Sequence, residues 1–109
     1  LHPAKPFLTE LLWSDPNDNV QGIIPSPRGV GHLFGKDITA KIDRLKAKIL
    51  IRGHESTPQG YKISHDGKVL TLFSSKGAPC FNTNSAYLNL PLNKKFENAN
   101  QLLPFIHTF

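Results

Sequence analysis

The prolines and glycines between Ser14 and Gly35 constrain most strongly what this chain can fold into. The stretch holds Pro16, Pro25, Pro27, Gly22, Gly29, Gly31 and Gly35. Proline removes a backbone donor and glycine raises the entropy lost on folding, so no long helix or strand can run through it. Loops of this length in a compact domain are often functional. We therefore expect an irregular loop here, with binding residues on it.

The next stretch predicts a helix. Ile38, Ile42 and Leu45 recur at the spacing of one helical face, with charged residues on the other faces. Asp37 can accept hydrogen bonds from the free amides of a first helical turn. We predict a short amphipathic helix over 37–46 with Asp37 at its amino-terminal cap.

Apolar runs after this helix predict strands. They cover residues 47–51, 61–64, 68–73 and 86–92. The first is expected to be buried, and Asp66-Gly67 favours a tight hairpin turn between the second and the third. Pro91 places the last strand at a sheet edge. The tail 93–109 has no clear period, but its apolar side chains would be costly to expose, so we expect it to dock on the domain.

Length and charge narrow the class of protein. With 109 residues the chain forms one domain at most, and its 39% hydrophobic content supports a modest core. No apolar run is long enough to span a membrane, and the single Cys80 suits a reducing compartment, so a cytoplasmic location is expected. The net charge of +5 is dispersed, with Lys94-Lys95 the only adjacent pair, so nucleic-acid binding is a minor alternative. The chain begins at Leu1 and lacks methionine, so we expect it to be part of a longer product.

Two residues stand out as candidates for chemistry. His54 follows a predicted strand and a glycine, where an imidazole can face a divalent metal, although a lone histidine does not make a metal centre. Arg28 lies among small residues in the glycine-rich loop, and its planar fork matches phosphate oxygens, although a plain surface role fits that local sequence as well. The dinucleotide fingerprint, the P-loop and the nucleophile-elbow motif are all absent from the sequence.

Taken together, these segments form an ordered pattern. In chain order it reads LLWSDP at 11–16, RGV at 28–30, FG at 34–35, IRGHE at 51–55, GY at 60–61 and LTLFS at 70–74. The pattern resembles the carboxyl-terminal third of the phosphoprotein phosphatase family, the metal-dependent Ser/Thr phosphatases of the calcineurin-like metallophosphoesterase fold. The resemblance runs from about residue 10 to 92. The residues of its motifs look most similar to those of archaeal or prokaryotic members.

The resemblance implies a fold and a mechanism. The fold would be an α/β, strand-rich segment of a β-sandwich flanked by helices. In the family a hydroxide held by two divalent metal ions attacks the phosphomonoester, so no side chain is the nucleophile. His54 matches a metal-binding histidine and Arg28 an arginine that contacts the substrate phosphate, while Trp13 and Asp15 match supporting positions near the cleft. The metals implied are Mn, or Fe or Zn.

The departures from the family pattern are also informative. The GDxHG, GDxxDRG and GNHE motifs, which supply most of the metal ligands and the general acid, are absent from this sequence. The loop after LTLFS lacks the tyrosine found in many members, and Phe81 is expected to fill that space. We therefore expect residues 1–109 to be the carboxyl-terminal part of one catalytic domain, inactive without the missing amino-terminal segment of that domain.

The expected function is that of a metal-dependent Ser/Thr phosphoprotein phosphatase, with a phosphoprotein as substrate. Three alternatives remain open. The chain could be a module that binds phosphorylated ligands through Arg28 without hydrolysis. The complete protein could act on small phosphoesters or nucleoside polyphosphates. A nucleic-acid-binding domain would show affinity that falls steeply with salt.

Overall fold

The computed structural model describes residues 13–53, 55–75 and 83–109. The predictions that concern 1–12, His54, Cys80 and Phe81 lie outside the described residues. Within them the chain forms two mixed three-stranded sheets and a two-stranded ribbon, joined by short helices. This arrangement agrees with the strand-rich α/β class expected from the sequence.

The first sheet lies within the proline- and glycine-rich stretch. It consists of β1 (Asp15–Pro16), β2 (Ile23–Pro25) and β3 (His32–Phe34), with β3 in the centre, parallel to β1 and antiparallel to β2. No long element runs through the described part of this stretch, as predicted, but the loop is not wholly irregular, because strands of two or three residues fit between the prolines and glycines. Gly31 has φ +74°, and a Cβ there would lie 2.2 Å from the carbonyl oxygen of Trp13, so the close approach of the two segments requires glycine.

The predicted amphipathic helix is present in a modified form. The helix α1 (Lys36–Thr39) is α-helical, and a 3₁₀ helix (Ala40–Leu45) continues it. Asp37 does not cap it; instead its carboxylate accepts from the backbone N–H of Gly22 at 3.0 Å. Leu45 is 79% exposed, because the tighter 3₁₀ turn rotates it off the face that a regular α-helix would bury. Neither this helix nor another in the described ranges is long and apolar enough to cross a membrane.

The second sheet carries the predicted hairpin. It consists of β4 (Leu50–Arg52), β5 (Tyr61–Ser64) and β6 (Val69–Leu72), with β6 in the centre, antiparallel to β5 and parallel to β4. The hairpin prediction is confirmed. The strand predicted at 47–51 starts later, and its predicted burial is wrong: Ile51 is exposed, because β4 is the edge of this sheet in the described structure.

The tail contributes the third pairing. Strand β7 (Ala86–Leu88) pairs antiparallel with β8 (Ile106–Thr108). The strand predicted at 86–92 is therefore confirmed only for its first residues and ends before Pro91, which has no N–H for a ladder. The last strand itself was not predicted.

The core lies between the second sheet and the tail. A 3₁₀ helix (Ala99–Phe105) brings Leu102 against Leu70 of β6, and both side chains are fully buried together with Ala99. The docking expected of the tail is thus confirmed. Burying a leucine side chain contributes about 2 kcal/mol, so this contact ties the end of the chain to the sheet.

A buried histidine joins the two three-stranded sheets at the turn after β5. His65 has φ +53°, and its ring Nδ1 lies 2.6 Å from Oγ1 of Thr39 at the end of α1. Its backbone N–H donates to Oδ1 of Asp18 at 2.8 Å, and its ring meets Phe34 of β3 edge-on at 5.7 Å between centroids. We call this group of four residues the histidine junction.

Candidate functional site

A second polar contact between the same sheets centres on a buried carboxylate. Asp15 of β1 has a side chain that is 4% exposed. Its Oδ2 accepts from Nη2 of Arg28, and its Oδ1 accepts from Nη2 of Arg52 at 2.7 Å. Glu55 lies 3.3 Å from Nη1 of Arg52 and completes a set of two carboxylates and two guanidiniums. We call Asp15, Arg28, Arg52 and Glu55 the arginine–aspartate cluster.

The turn between β2 and β3 holds Arg28 in place. Its backbone N–H donates to Oγ of Ser26 at 3.2 Å, a local contact that favours the turn. Its Nη2 also donates to the carbonyl oxygen of Trp13 at 3.2 Å, and its guanidinium lies 5.7 Å from the centroid of the Trp13 ring. The Arg28 side chain remains 40% exposed, so part of a fixed cation faces outward.

Arg52, at the end of β4, is enclosed. Its side chain is 13% exposed, and its guanidinium donates to Asp15, to Glu55, to the carbonyl oxygen of Ser14 at 3.2 Å and to Oγ1 of Thr71 at 3.1 Å. The buried Thr71 belongs to β6, so Arg52 links the two sheets.

Arg28 and Asp15 border an open pocket of about 410 Å³. It is lined by Asp15, Asn17, Ser26, Pro27, Arg28, Leu33, Glu55 and Ser56. An arginine held at a pocket wall by a buried carboxylate can receive an anion with little further loss of side-chain freedom.

The structure brings together three of the five residues singled out from the sequence. Arg28 contacts both Trp13 and Asp15 directly. His54 and Phe81 fall outside the described residues. Sequence reasoning missed the part played by Arg52, although a signal was present: an arginine directly at the end of a strand, three residues before a glutamate.

The described residues do not form a metal centre by themselves. Across 13–53, 55–75 and 83–109, no three His, Cys, Asp or Glu side chains are grouped to hold an ion. Both oxygens of Asp15 already accept from guanidiniums, which leaves that carboxylate poorly suited to a cation. These residues alone therefore support no metal-dependent reaction step. The exposed guanidinium of Arg28 at the pocket suits an anion instead.

Comparison with known proteins identifies what the chain is similar to. It is 49% identical over 70 residues to human serine/threonine-protein phosphatase with EF-hands 1, covering 62% of this chain. It is 43% identical over 74 residues to serine/threonine-protein phosphatase 5 of Arabidopsis thaliana, covering 67% of this chain. Its homologues are serine/threonine-protein phosphatases. No family model matches the chain.

A solved structure extends the likeness to the fold. A protein serine/threonine phosphatase from Saccharomyces cerevisiae, described as similar to human phosphatase PP5, superposes with a TM-score of 0.73 at 29% identity. The match covers 98% of this chain and 35% of that phosphatase. The expected phosphatase fold is therefore confirmed for this segment.

The phosphatase relatives are much longer than this chain. It spans 11% of the length of the human protein and 14% of the length of the Arabidopsis protein. The relatives named here are eukaryotic, so the expected closeness to archaeal or prokaryotic members finds no support among them.

Proposed function

We propose that this chain is the carboxyl-terminal part of the catalytic domain of a metal-dependent Ser/Thr phosphoprotein phosphatase. The observation that carries the proposal is an arginine held by a buried carboxylate at a pocket wall, in a chain whose relatives are named serine/threonine phosphatases. The family-like region would be about 10–92, with 93–109 as a tail and the missing amino-terminal segment as its partner within the domain. The expected cytoplasmic location stays part of this proposal.

Arg28 is proposed to contact the substrate phosphate. Its fork can donate to two phosphate oxygens, and the charge that develops on them during hydrolysis would strengthen both hydrogen bonds. Trp13 and Asp15 would support this role by holding the guanidinium at the pocket. Phe81 would occupy space beside the site.

His54 is proposed as one ligand to one of two divalent metal ions, with Mn favoured over Fe or Zn. The other ligands would come from the amino-terminal segment, because the described residues supply no group of three. When bound, such ions activate a water molecule and polarise the phosphate. The residues of this chain would bind and orient the anion.

The decisive experiment measures Mn-dependent hydrolysis of a phosphopeptide by the complete catalytic domain. His54→Ala is expected to lower kcat/KM by at least about a hundredfold, because it removes a metal ligand. His107→Ala is the matched control, since His107 stacks on Tyr87 of the ribbon at 5.0 Å and is expected to leave the rate unchanged. Equal rates for wild type and His54→Ala would overturn the metal assignment, and an inactive wild-type domain would overturn the phosphatase.

A second candidate is a module that binds phosphorylated ligands without hydrolysing them. It is favoured by one observation: the contacts that hold Arg28 at the pocket all lie within this chain. Calorimetric titration with phosphopeptide in the presence of a chelator separates the two. The module would bind without metal, whereas the phosphatase would require it. Rates on a small phosphoester and on a nucleoside triphosphate would test the remaining substrate classes.

A further inference from the structure

Arg52 and Arg28 donate to different oxygens of the Asp15 carboxylate, but they differ in how many N–H donors remain for a ligand. A guanidinium carries five N–H donors, two on each Nη and one on Nε. In Arg52, Nη1 donates to Glu55 and Thr71, and Nη2 donates to Ser14 and Asp15. All four Nη donors of Arg52 are therefore engaged within the protein.

Arg28 shows the opposite pattern. Among the described residues, its guanidinium donates hydrogen bonds through Nη2 alone, to Trp13 and Asp15. The Nη1 and Nε donors are free of partners among the described residues. Arg28 lines the pocket, and Arg52 does not. Of these two arginines, Arg28 is thus the one equipped to receive an anion.

We propose that Arg52 is a positioning residue that acts on the bound phosphate through Asp15 and Arg28. This inference rests on the proposed function, in which Arg28 contacts the phosphate. Arg52 is anchored to both sheets, by Ser14 and Asp15 on one side and Thr71 on the other. It fixes one oxygen of Asp15 and so fixes the torsion of that carboxylate.

The consequence for Arg28 is geometric. With the Asp15 carboxylate fixed, its other oxygen and the Trp13 carbonyl set the position of Nη2 of Arg28, and the planar group then holds its free donors toward the pocket. Binding energy is not spent on ordering the side chain, so affinity for the anion rises without a new contact. Loss of Arg52 would leave Arg28 present but loosely held.

A double-mutant cycle in the complete catalytic domain tests this. The variants are Arg52→Gln, Arg28→Lys and both together, and the readout is the Kd for inorganic phosphate by calorimetry, with Tm recorded for each. We expect Arg52→Gln to raise the Kd about tenfold in the wild-type background and less than about twofold in the Arg28→Lys background. Arg44→Gln, an exposed arginine of the 3₁₀ helix, is the matched control and should not shift the Kd.

The opposite results are equally clear. Fold-changes that multiply in the double variant would show that Arg52 acts independently of Arg28 and would overturn the proposal. A fall in Tm with no change in Kd would reduce Arg52 to a structural role and would overturn it as well. If wild type hydrolyses a phosphopeptide while the changes multiply, the phosphatase stands and only this inference fails. If wild type binds phosphate without hydrolysis, the phosphatase fails and the cycle still decides the inference; if it binds no phosphate, both fail.

Thr71→Val serves where Arg52→Gln does not fold. It keeps the volume of a fully buried side chain and removes only the hydroxyl that accepts from Nη1 of Arg52. We expect a rise in Kd of about threefold that disappears in the Arg28→Lys background. An equal rise in both backgrounds would contradict the positioning role.

Discussion

The arginine–aspartate cluster and the histidine junction connect the same two sheets by different chemistry. In the cluster, Asp15 of the first sheet binds Arg52 of the second through a buried ion pair. In the junction, His65 of the hairpin binds Thr39 and Asp18 by hydrogen bonds. Both contacts come from loops or strand ends and not from the apolar core.

The difference lies in what each contact leaves exposed. The His65 side chain is fully enclosed and the exposed side chain of the junction is the Asp18 carboxylate, so the junction presents no cation to an anionic ligand. The cluster also buries the Asp15 carboxylate, but it holds Arg28 at a pocket wall with N–H donors that have no partner among the described residues. A polar contact whose groups are all buried contributes to stability alone. One that keeps an exposed N–H donor can also bind an anion. The two contacts therefore give different expectations for substitution.

The largest effect is expected for Asp15→Asn. The change keeps the shape of the side chain but removes the charge that compensates two guanidiniums, one of them largely buried. Breaking a buried ion pair in this way costs about 3–5 kcal/mol. Urea unfolding of the complete catalytic domain measures the loss, and phosphate affinity should fall with it. A variant as stable as wild type would show that the cluster is not what joins the sheets.

His65→Ala is expected to cost somewhat less, about 2–3 kcal/mol, because it leaves a cavity and an unpartnered Thr39 hydroxyl. The same unfolding measurement applies. Unlike Asp15→Asn, this variant should keep the wild-type Kd for phosphate in the folded protein, because the junction has no exposed donor. A weakened Kd would break the distinction drawn between the two contacts.

Thr39→Val isolates the hydrogen bond of the junction. Thr39 is buried and nearly isosteric with valine, so the substitution removes the partner of His65 Nδ1 without opening a cavity. We expect a loss of about 1–2 kcal/mol in the free energy of unfolding, since a buried polar atom then lacks a partner. A loss equal to that of His65→Ala would mean that the ring contributes little through packing.

The fold was predictable where short-range chemistry decides it. Asp66-Gly67 and the alternating runs beside it identify the hairpin, and it forms with the expected strands. The 3₁₀ helix that continues α1 was not predictable from hydrophobic periodicity, because the spacing of Ile42 and Leu45 fits one face of an α-helix as well. Strand β8 was missed because its pairing with β7 is a contact between distant parts of the chain.

The candidate site was predictable only in part for a related reason. Arg28 was singled out from its local sequence and Trp13 and Asp15 by family resemblance, and the structure shows Arg28 in contact with both. Arg52 gained its place from the pairing of β4 with β6, which brings Thr71 beside it. The buried role of His65 depends on Thr39 of α1 and Phe34 of β3, which lie far from it in the chain. Such roles arise from tertiary contacts that no local pattern records.

The smallest effect is expected at an exposed ion pair, which serves as a reference for the buried one. Nζ of Lys48 lies 2.7 Å from Oε2 of Glu97, with both side chains 62% exposed. The hydrogen bond to Glu97, followed by its charge, raises the pKa of Lys48 above the ordinary value of 10.5. Because the folded pKa is the higher one, the contribution of the pair is fully present below pH 10.5 and is lost as the pH rises through the folded pKa.

Lys48→Gln should therefore lower Tm at neutral pH by less than any substitution above, and high salt should remove the difference, since exposed charges are screened by ions. Asp15→Asn should keep most of its effect in high salt, because solvent ions do not reach a buried carboxylate. Paired thermal melts of both variants at low and high salt measure this. Equal salt sensitivity in the two would mean that solvent reaches the arginine–aspartate cluster as freely as it reaches the surface, and the distinction between a buried and an exposed pair would fail.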